Sequence, residues 1–189
     1  GLYDPKTSTF RLKNSTPGGG ADVILTVDSP SRLALPIAGD WNGDGKDSVG
    51  LYDPATGTFY LKNSLAGPGF DIVFPFGPTN PSMVPLAGDW NGDGRDGVGL
   101  YDPVHSEFIL TNSLGGSVQP GLLFQFGPAG KGLLPVVGDW NGDGKDDIGV
   151  YDPAQAIFRL RNSLSAGSPD AQFRFGPRRQ GWKPMAGSW

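Results

Sequence analysis

Three copies of one eight-residue segment hold the side chains best suited to chemistry. Each copy reads Asp-Trp-Asn-Gly-Asp-Gly-(Lys/Arg)-Asp, at Asp40–Asp47, Asp89–Asp96 and Asp139–Asp146. Carboxylate or amide oxygens recur at positions 1, 3 and 5, and the glycine at position 6 permits the bend that lets a short loop wrap an ion. Hard oxygen ligands at this spacing suit calcium, which accepts about 6–8 oxygens, better than magnesium, which resists losing its waters. We therefore expect about three calcium ions per chain.

The predicted ligands of each loop are the oxygens at positions 1, 3 and 5, the backbone carbonyl at position 7 and the Asp at position 8. The Asp at position 8 could ligate through a shifted backbone, act through a water, or only cap the strand that follows. The predicted residues are Asp40, Asn42, Asp44, Lys46 and Asp47 in the first loop, Asp89, Asn91, Asp93, Arg95 and Asp96 in the second, and Asp139, Asn141, Asp143, Lys145, Asp146 and Asp147 in the third.

Two other interpretations of the loops compete with a calcium site in a β-protein. An EF-hand begins in the same way but needs a bidentate Glu at position 12, on a helix. Position 12 is Leu51, Leu100 or Val150, followed by Tyr-Asp-Pro, so each loop leads into a strand and the EF-hand and dockerin interpretations fail. The other alternative is a simple turn, and three copies that keep every oxygen position argue against it.

The composition supports a local role for the loop carboxylates. Of the 19 acidic residues 18 are Asp, only Glu107 is Glu, and ten of the Asp lie in the three loops when Asp147, at position 9 of the third, is counted. Three divalent ions would add six charges to the net charge of −4 and leave +2, so the acidity argues neither for nor against a charged partner. The chain has no Cys, its Lys and Arg are scattered, and no apolar run approaches a membrane span. We therefore expect neither nucleic-acid binding nor membrane insertion.

The loops belong to a repeat of 49 to 50 residues, since Gly-(Leu/Val)-Tyr-Asp-Pro begins at Gly1, Gly50, Gly99 and Gly149. Each copy continues with Phe-x-Leu-x-Asn-Ser, then Phe-x-Phe-Gly or a degenerate form of it, and last Pro-x-(Ala/Val)-Gly-Asp-Trp. In the second copy the apolar alternation predicts strands over Val84–Trp90, Val98–Asp102, Glu107–Asn112 and Leu122–Gly127. Phe108 and Leu110 are expected on one face and Ile109 on the other.

Four strands in about 50 residues match the size of a propeller blade, whereas most solenoids use about 20–30 residues per turn. We expect one all-β domain over residues 1–189, a β-propeller of four antiparallel four-stranded blades. Its repeats would span 1–49, 50–98, 99–148 and 149–189, the last truncated in its calcium loop.

The Asp-x-Asn-x-Asp-Gly loop between two strands, in repeats of this length, resembles the FG-GAP/VCBS family over essentially the whole chain. That family includes the calcium-binding propeller blades of integrin α-subunits and many bacterial extracellular proteins. The resemblance implies a calcium loop between the innermost strand of a blade and the next strand, with ligands at positions 1, 3, 5 and 7. The family usually adds an Asp at position 9, where this chain has Ser48, Gly97 and Asp147. We therefore expect the third loop to be the strongest site.

The fourth copy stops inside its loop, where Ser188 replaces the first Asp. The segment Lys183–Trp189 would then be an inner strand without following strands, and the first three strands, within Gly1–Val27, would lack an inner strand. Pairing these segments would complete a blade, either within one chain as a four-bladed ring or between chains as a filament. A piece of a longer array is the third alternative.

Residues outside the loops receive more modest predictions. The tryptophans at position 2 (Trp41, Trp90, Trp140 and Trp189) are expected to pack between blades, whereas Trp182 breaks the repeat and is the better candidate for ligand contact. The tyrosines of the repeat should also pack between blades, and each following Asp, which precedes Pro, should form an Asx turn. The only His, His105, lies in a variable turn, and the sequon at Asn14 is a candidate glycosylation site.

These observations predict a non-catalytic, calcium-stabilised structural or adhesive repeat protein, extracellular or at the cell surface. Its expected partners are copies of itself, with which it would form filaments through its open ends, or an extracellular protein or glycan. The alternatives are a lectin-like propeller that binds carbohydrate or protein, and an accessory domain of a larger secreted protein.

Overall fold

A computed structural model describes residues 1–14, 19–115, 121–178 and 181–186, and every regular element in these ranges is a β-strand. Fifteen strands form four antiparallel sheets, which confirms the predicted all-β class. Nowhere in these ranges is there a helix of the length and apolar character needed to cross a membrane.

Each sheet is a meander of strands that are consecutive in the chain. The first sheet has three strands, β1 (Leu2–Asp4), β2 (Thr9–Leu12) and β3 (Val23–Thr26). The second has four, β4 (Leu35–Gly39), β5 (Ser48–Asp53), β6 (Thr58–Leu61) and β7 (Ile72–Pro75). The third comprises β8 (Val84–Gly88), β9 (Gly97–Asp102), β10 (Glu107–Thr111) and β11 (Leu122–Gln125). The fourth comprises β12 (Leu134–Gly138), β13 (Asp147–Asp152), β14 (Ile157–Arg161) and β15 (Ala171–Arg174).

The three four-stranded sheets each join the last strand of one sequence repeat to three strands of the next. The strands β4, β8 and β12 come from the Pro-x-(Ala/Val)-Gly segments, and β8 lies beside both β4 and β12. The predicted loops therefore connect β4 to β5, β8 to β9 and β12 to β13, at equivalent ends of successive sheets.

Three hydrophobic cores lie between neighbouring sheets. The alternation predicted for β10 holds, because Phe108 and Leu110 join the core shared with the fourth sheet, whereas Ile109 joins the core shared with the second. The second and third sheets are covered on both faces, and their strands β5 and β9 are buried along their whole length, as is β13 of the fourth sheet. An ordinary antiparallel sheet exposes one face to solvent, whereas in the second and third sheets a neighbouring sheet covers that face.

The predicted inter-sheet packing is observed for Trp41 and Trp90, whereas Trp140 is half-buried beside an open groove and Trp189 lies outside the described residues. Tyr52 and Tyr101 are fully buried, each beside the Phe opposite it on the next strand, with ring centroids 4.7 and 4.8 Å apart. Trp41 lies in the core between the second and third sheets and Trp90 in the core between the third and fourth. Cross-strand aromatic pairs of this kind contribute about 0.5–1.5 kcal/mol beyond their buried area.

The arrangement is blade-like, but the four sheets do not close into a ring. The first sheet lacks an inner strand, as the repeat pattern predicts. No strand forms over residues 181–186, whereas the sequence predicts one beginning at Lys183. A strand needs a neighbouring strand to bond its N–H and C=O groups, and no pairing of this segment occurs within the described residues. Ser188 and Trp189, on which part of that prediction rests, lie outside the described residues.

The predicted Asx turns follow β1, β5, β9 and β13. The Asp53 carboxylate accepts the Ala55 N–H at 3.2 Å, and the Asp102 carboxylate accepts the Val104 N–H at 2.8 Å. His105 belongs to this turn, with its Nδ1 2.6 Å from the Asp102 Oδ2 and its side chain exposed. That hydrogen bond raises the pKa of His105.

One position in these turns stores backbone strain. Ser8 has a φ of 53°, and the matching residue of the second sheet, Gly57, has a φ of 65°. The left-handed conformation costs a non-glycine residue about 1–2 kcal/mol, against about 0.5–1 kcal/mol of chain entropy lost by a glycine. We therefore expect Ser8→Gly to raise the free energy of unfolding by about 0.5–1 kcal/mol, measured by urea denaturation.

Ser106→Gly is the matched control for this prediction. Ser106 has the same conformation, with a φ of 54°, but its Oγ donates a hydrogen bond of 3.0 Å to the Pro128 carbonyl. The loss of that bond should cancel the gain, so a larger gain for Ser106→Gly than for Ser8→Gly would contradict the explanation.

Candidate metal-binding loops

The three predicted loops fold in the same way, each around the carboxylate at its position 1. In the first loop Asp40 Oδ1 accepts the N–H groups of Gly43 and Asp44 at 2.7 and 3.1 Å, and Oδ2 accepts that of Gly45 at 2.7 Å. The loops that begin at Asp89 and Asp139 repeat all three bonds, at 2.7–3.2 Å. The loop can wrap in this way because positions 4 and 6 are glycine: all six glycines have φ between 75° and 84°, a left-handed conformation that glycine adopts without strain.

The second carboxylate of each loop, at position 5, is also oriented by the loop itself. Asp44 Oδ1 accepts the Lys46 N–H at 3.0 Å, and Asp44 Oδ2 accepts a bond of 3.2 Å from the Asn42 amide. The same two bonds recur in the second and third loops. Each loop therefore holds two carboxylates and one amide in a fixed, mostly exposed arrangement.

Hydrogen bonding lowers the pKa of two of the position-1 carboxylates, Asp40 and Asp139. At Asp139 the N–H groups of Gly144, Gly142 and Asp143 lower the pKa. At Asp40 slight burial opposes the effect, and the equivalent N–H groups still hold the pKa below its usual value. A carboxylate that stays charged is the protonation state required of a cation ligand.

The donor chemistry of the loops fits a hard divalent cation, with two carboxylates, an amide oxygen and a nearby carbonyl. The loops do not form a dense acidic cluster, because the described residues contain no group of three Asp, Glu, His or Cys that could hold a metal ion. In addition, the amide of Asn42 presents its nitrogen to Asp44, while its oxygen accepts the Asp44 N–H at 3.1 Å. Asn42 must therefore turn its oxygen towards the ion if it is to act as a ligand.

The Asp at position 8 makes a contact that sequence reasoning did not identify. Asp96 Oδ2 accepts the N–H of Asp40 at 2.8 Å, and the Asp96 N–H donates to the Asp40 carbonyl at 2.8 Å. Asp146 makes the same pair of bonds, at 2.9 and 2.8 Å, to Asp89. We call each reciprocal pair a latch, since it ties one loop to the start of the preceding loop. The recurrence of Asp at position 8 was the only sequence signal for it.

Burial gives the latch carboxylate an unusual protonation equilibrium. Burial, assisted by the charges of Asp146, Asp47 and Asp40, raises the pKa of Asp96 to about 6, although the hydrogen bond from the Asp40 N–H opposes the shift. The folded protein thus favours the neutral form of this side chain more than the unfolded chain does.

The latch yields a prediction with two variants of opposite outcome. Asp96→Ala leaves the Asp40 N–H without its acceptor and should lower the free energy of unfolding by about 1–3 kcal/mol. Asp96→Asn keeps an acceptor oxygen and removes a buried charge, so it should be at least as stable as wild type in chelator at neutral pH. Urea denaturation of both variants measures the difference.

Asp47→Ala is the matched control, because Asp47 occupies the same loop position but is exposed. Its substitution should change the free energy of unfolding by less than about 0.5 kcal/mol. Equal losses for Asp47→Ala and Asp96→Ala would show that position 8 does not act through the latch.

Position 9 differs among the loops for a steric reason. Asp147, the first residue of β13, is 3 % exposed, and its Oδ2 accepts the backbone N–H of Trp140 at 3.3 Å, so it faces the start of its own loop. At Gly97 a Cβ would lie 2.2 Å from the Thr111 carbonyl oxygen, which excludes any side chain there in this conformation. An Asp at position 9 is thus present in the third loop and sterically excluded in the second.

The remaining predicted site residues lie apart from the loops. Trp182 is 59 % exposed and borders a groove beside Tyr151 and Phe175. Asn14 is exposed, and its N–H donates to Asp22 Oδ2 at 2.6 Å, while the rest of its sequon lies outside the described residues.

Comparison of the chain with family models, with curated proteins and with solved structures returned no match.

Proposed function

We propose that this chain is a non-catalytic, calcium-stabilised structural or adhesive repeat protein of the extracellular space or cell surface. The observation that supports it best is the identical folding of three loops around their position-1 carboxylates at equivalent ends of three sheets. Extracellular calcium modules bind the ion with dissociation constants of about 10⁻⁴–10⁻³ M, which matches the calcium found outside cells.

The proposed ligands in the first loop are Asp40, Asn42 and Asp44, with the carbonyl of Lys46 and the matching residues of the other two loops. Calcium supplies positive charge that offsets the two carboxylates of each loop. Each loop joins an inner strand to its neighbour, so a loop held in one conformation also holds that hairpin. The latches then transmit the order of one loop to the next, because they bond the backbone of consecutive loops.

Calorimetric titration with calcium tests the proposal. Wild type should bind about three ions, and each of Asp44→Asn, Asp93→Asn and Asp143→Asn should bind about one fewer. Asp28→Asn is the control, since Asp28 is exposed and lies outside the loops. No heat of binding, together with no calcium by elemental analysis of the purified protein, would refute the proposal.

A second candidate function, assembly with copies of itself, is favoured by an open apolar groove beside β1. The groove is lined by Leu2, Tyr3, Phe10, Ile37 and Val49, and Leu2 is 74 % exposed. In the other three sheets an inner strand pairs at this edge. Residues Pro184–Gly187 have the same kinds of side chain, in the same order, as Pro135–Gly138 of the inner strand β12. We therefore propose that the segment beginning at Lys183 of a second copy occupies this groove.

Sedimentation velocity over a range of protein concentrations tests the assembly. Wild type should associate, and Leu2→Asp should reduce association by placing a charge at the open edge. Val104→Asp is the control, because Val104 is 54 % exposed in a turn away from the groove. A strict monomer at every concentration would refute assembly and favour pairing within one chain.

A further inference from the structure

The outer face of the fourth sheet, which points away from the third sheet, carries a group of aromatic side chains open to solvent. Phe175 is 70 % exposed, Phe173 and Trp182 are exposed, and Phe158 lies half-buried beneath them. We call these four residues the aromatic site, which forms much of the walls of two adjoining grooves. Grouped apolar side chains on a surface mark a place of contact with another molecule.

The same positions are buried in the other three sheets. The residues at the repeat position of Phe175, all buried, are Val27, Phe76 and Phe126. The residues at the repeat position of Trp182, also all buried, are Ala34, Met83 and Leu133. Each of these pairs belongs to one of the three cores between sheets. Trp182, whose type breaks the repeat, therefore stands at a core position.

The backbone of the fourth sheet does not account for the difference. The Phe175 N–H donates to the Ala156 carbonyl at 3.0 Å, and its counterparts donate to the matching turn residues at 2.8–2.9 Å. The rings of Phe158 and Phe173 stack with centroids 5.4 Å apart, close to the 5.6 Å of the matching pair in the third sheet. The aromatic site is thus built like the buried ones, and it differs in having no further sheet against it.

One side chain of the next sheet packs against the aromatic positions in each of the three cores. The residues that do so, all fully buried, are Leu51, Leu100 and Val150. The contact is close, because a Cβ added at Gly77, directly after Phe76, would lie 2.4 Å from Leu100 Cδ1. A Cβ at the matching Gly176 would meet nothing nearer than the Tyr151 hydroxyl of its own sheet, at 4.0 Å.

The first sheet exposes the complementary side chain. Leu2 holds the repeat position of Leu51 and Leu100 but is 74 % exposed. Arg11, opposite Leu2 on β2, is compatible with an interface, because its counterpart Arg159 lies between the third and fourth sheets with its side chain 14 % exposed. The chain therefore carries both halves of an interface that it already forms three times between its own sheets. Stacked repeats bury their apolar faces through such nearest-neighbour contacts.

We propose that the aromatic site of the fourth sheet binds the first sheet of a second copy of this chain, with Leu2 of that copy against Phe158, Phe175 and Trp182. This inference rests on the proposed assembly with copies of itself and adds its second contact surface. Each inner strand of the chain follows the preceding sheet, so the segment beginning at Lys183 reaches the groove beside β1 at the same junction. The two surfaces differ, so the interface is heterologous and can propagate.

Sedimentation velocity of Phe175→Asp tests the aromatic site. The variant places a charge where the apolar contact should form, so it should raise the dissociation constant of self-association at least about tenfold. Phe175 is exposed in the single chain, so the variant should unfold in urea like wild type. That measurement separates loss of binding from loss of folding.

An equimolar mixture of Phe175→Asp and Leu2→Asp tests the pairing of the two surfaces. Each variant alone lacks one half of the junction and should stay monomeric at concentrations where wild type associates. In the mixture the intact aromatic site of one variant meets the intact Leu2 of the other, so a dimer and nothing larger should form. An interface between two fourth sheets would instead let Leu2→Asp dimerise alone, which would overturn the proposal.

Leu123→Asp is the matched control, because Leu123 is an exposed apolar residue of the edge strand β11, outside both surfaces. It should associate like wild type. Unchanged association of Phe175→Asp, or no dimer in the mixture, would overturn this inference and leave assembly through the groove beside β1 standing. A wild-type chain that is monomeric at every concentration would refute both.

Discussion

Removal of calcium with a chelator, from a starting concentration 100-fold above the dissociation constant, should lower the midpoint of thermal unfolding by about 5–10 °C for each site that is emptied. An ion bound only by the folded state stabilises it by about 2.7 kcal/mol when its concentration is 100-fold above the dissociation constant. In a chain of this length each kcal/mol corresponds to about 2–4 °C. Scanning calorimetry with calcium and with chelator measures the shift.

The triple variant Asp44→Asn, Asp93→Asn and Asp143→Asn isolates the loops as the cause of that shift. Each asparagine keeps an oxygen that can accept the N–H of position 7, so the variant should resemble wild type in chelator. It should lose the response to calcium, because each loop retains only one of its two proposed ligand carboxylates, the one at position 1. A response equal to that of wild type would show that calcium acts somewhere else on the protein.

Gly97→Ala should be the most damaging single substitution of those considered, with a loss of about 3 kcal/mol or more in the free energy of unfolding. The added Cβ would lie 2.2 Å from the Thr111 carbonyl oxygen and 2.8 Å from Trp90 Cδ1. The carbonyl belongs to the paired strand β10, and the indole is 4 % exposed in the core, so neither can move freely. Urea denaturation measures the loss.

Ser48→Ala tests the same position in the preceding sheet. Ser48 already carries a Cβ there, so the substitution adds no atom and should cost less than about 1 kcal/mol. If Ser48→Ala and Gly97→Ala lowered the free energy of unfolding by similar amounts, the contact with the Thr111 carbonyl would not be the cause of the loss.

Strand locations followed from the sequence because their cause is local. The segment Val84–Trp90 was predicted to be a strand, and the strand ends at Gly88, since Asp89 begins the loop and accepts its N–H groups. Alternation placed Phe108 and Ile109 on opposite faces, and the structure puts them in different cores. The Asx turns depend on an Asp and the two or three residues after it, which sequence shows directly.

The contacts between sheets did not follow from the sequence, because they join residues about one repeat apart or more. Asp40 and Asp96 are 56 residues apart, and only the stacking of sheets brings a carboxylate of one loop to the backbone of another. The same stacking brings Asn112, which follows β10 of the third sheet, to a cavity that Trp41 of the first loop also lines. Repetition alone predicts equal interfaces, whereas the indole of Trp41 is unpaired and that of Trp90 is bonded.

The sequence by itself thus determined the three oxygen-rich loops, their glycines and the strands that carry them, because spacing and turn chemistry act over a few residues. Tertiary structure decided what the Asp at position 8 contacts and why Gly97 excludes a side chain. The physical reason is that hydrogen bonding and steric exclusion between sheets depend on distances of a few tenths of an ångström, which a repeat pattern does not encode.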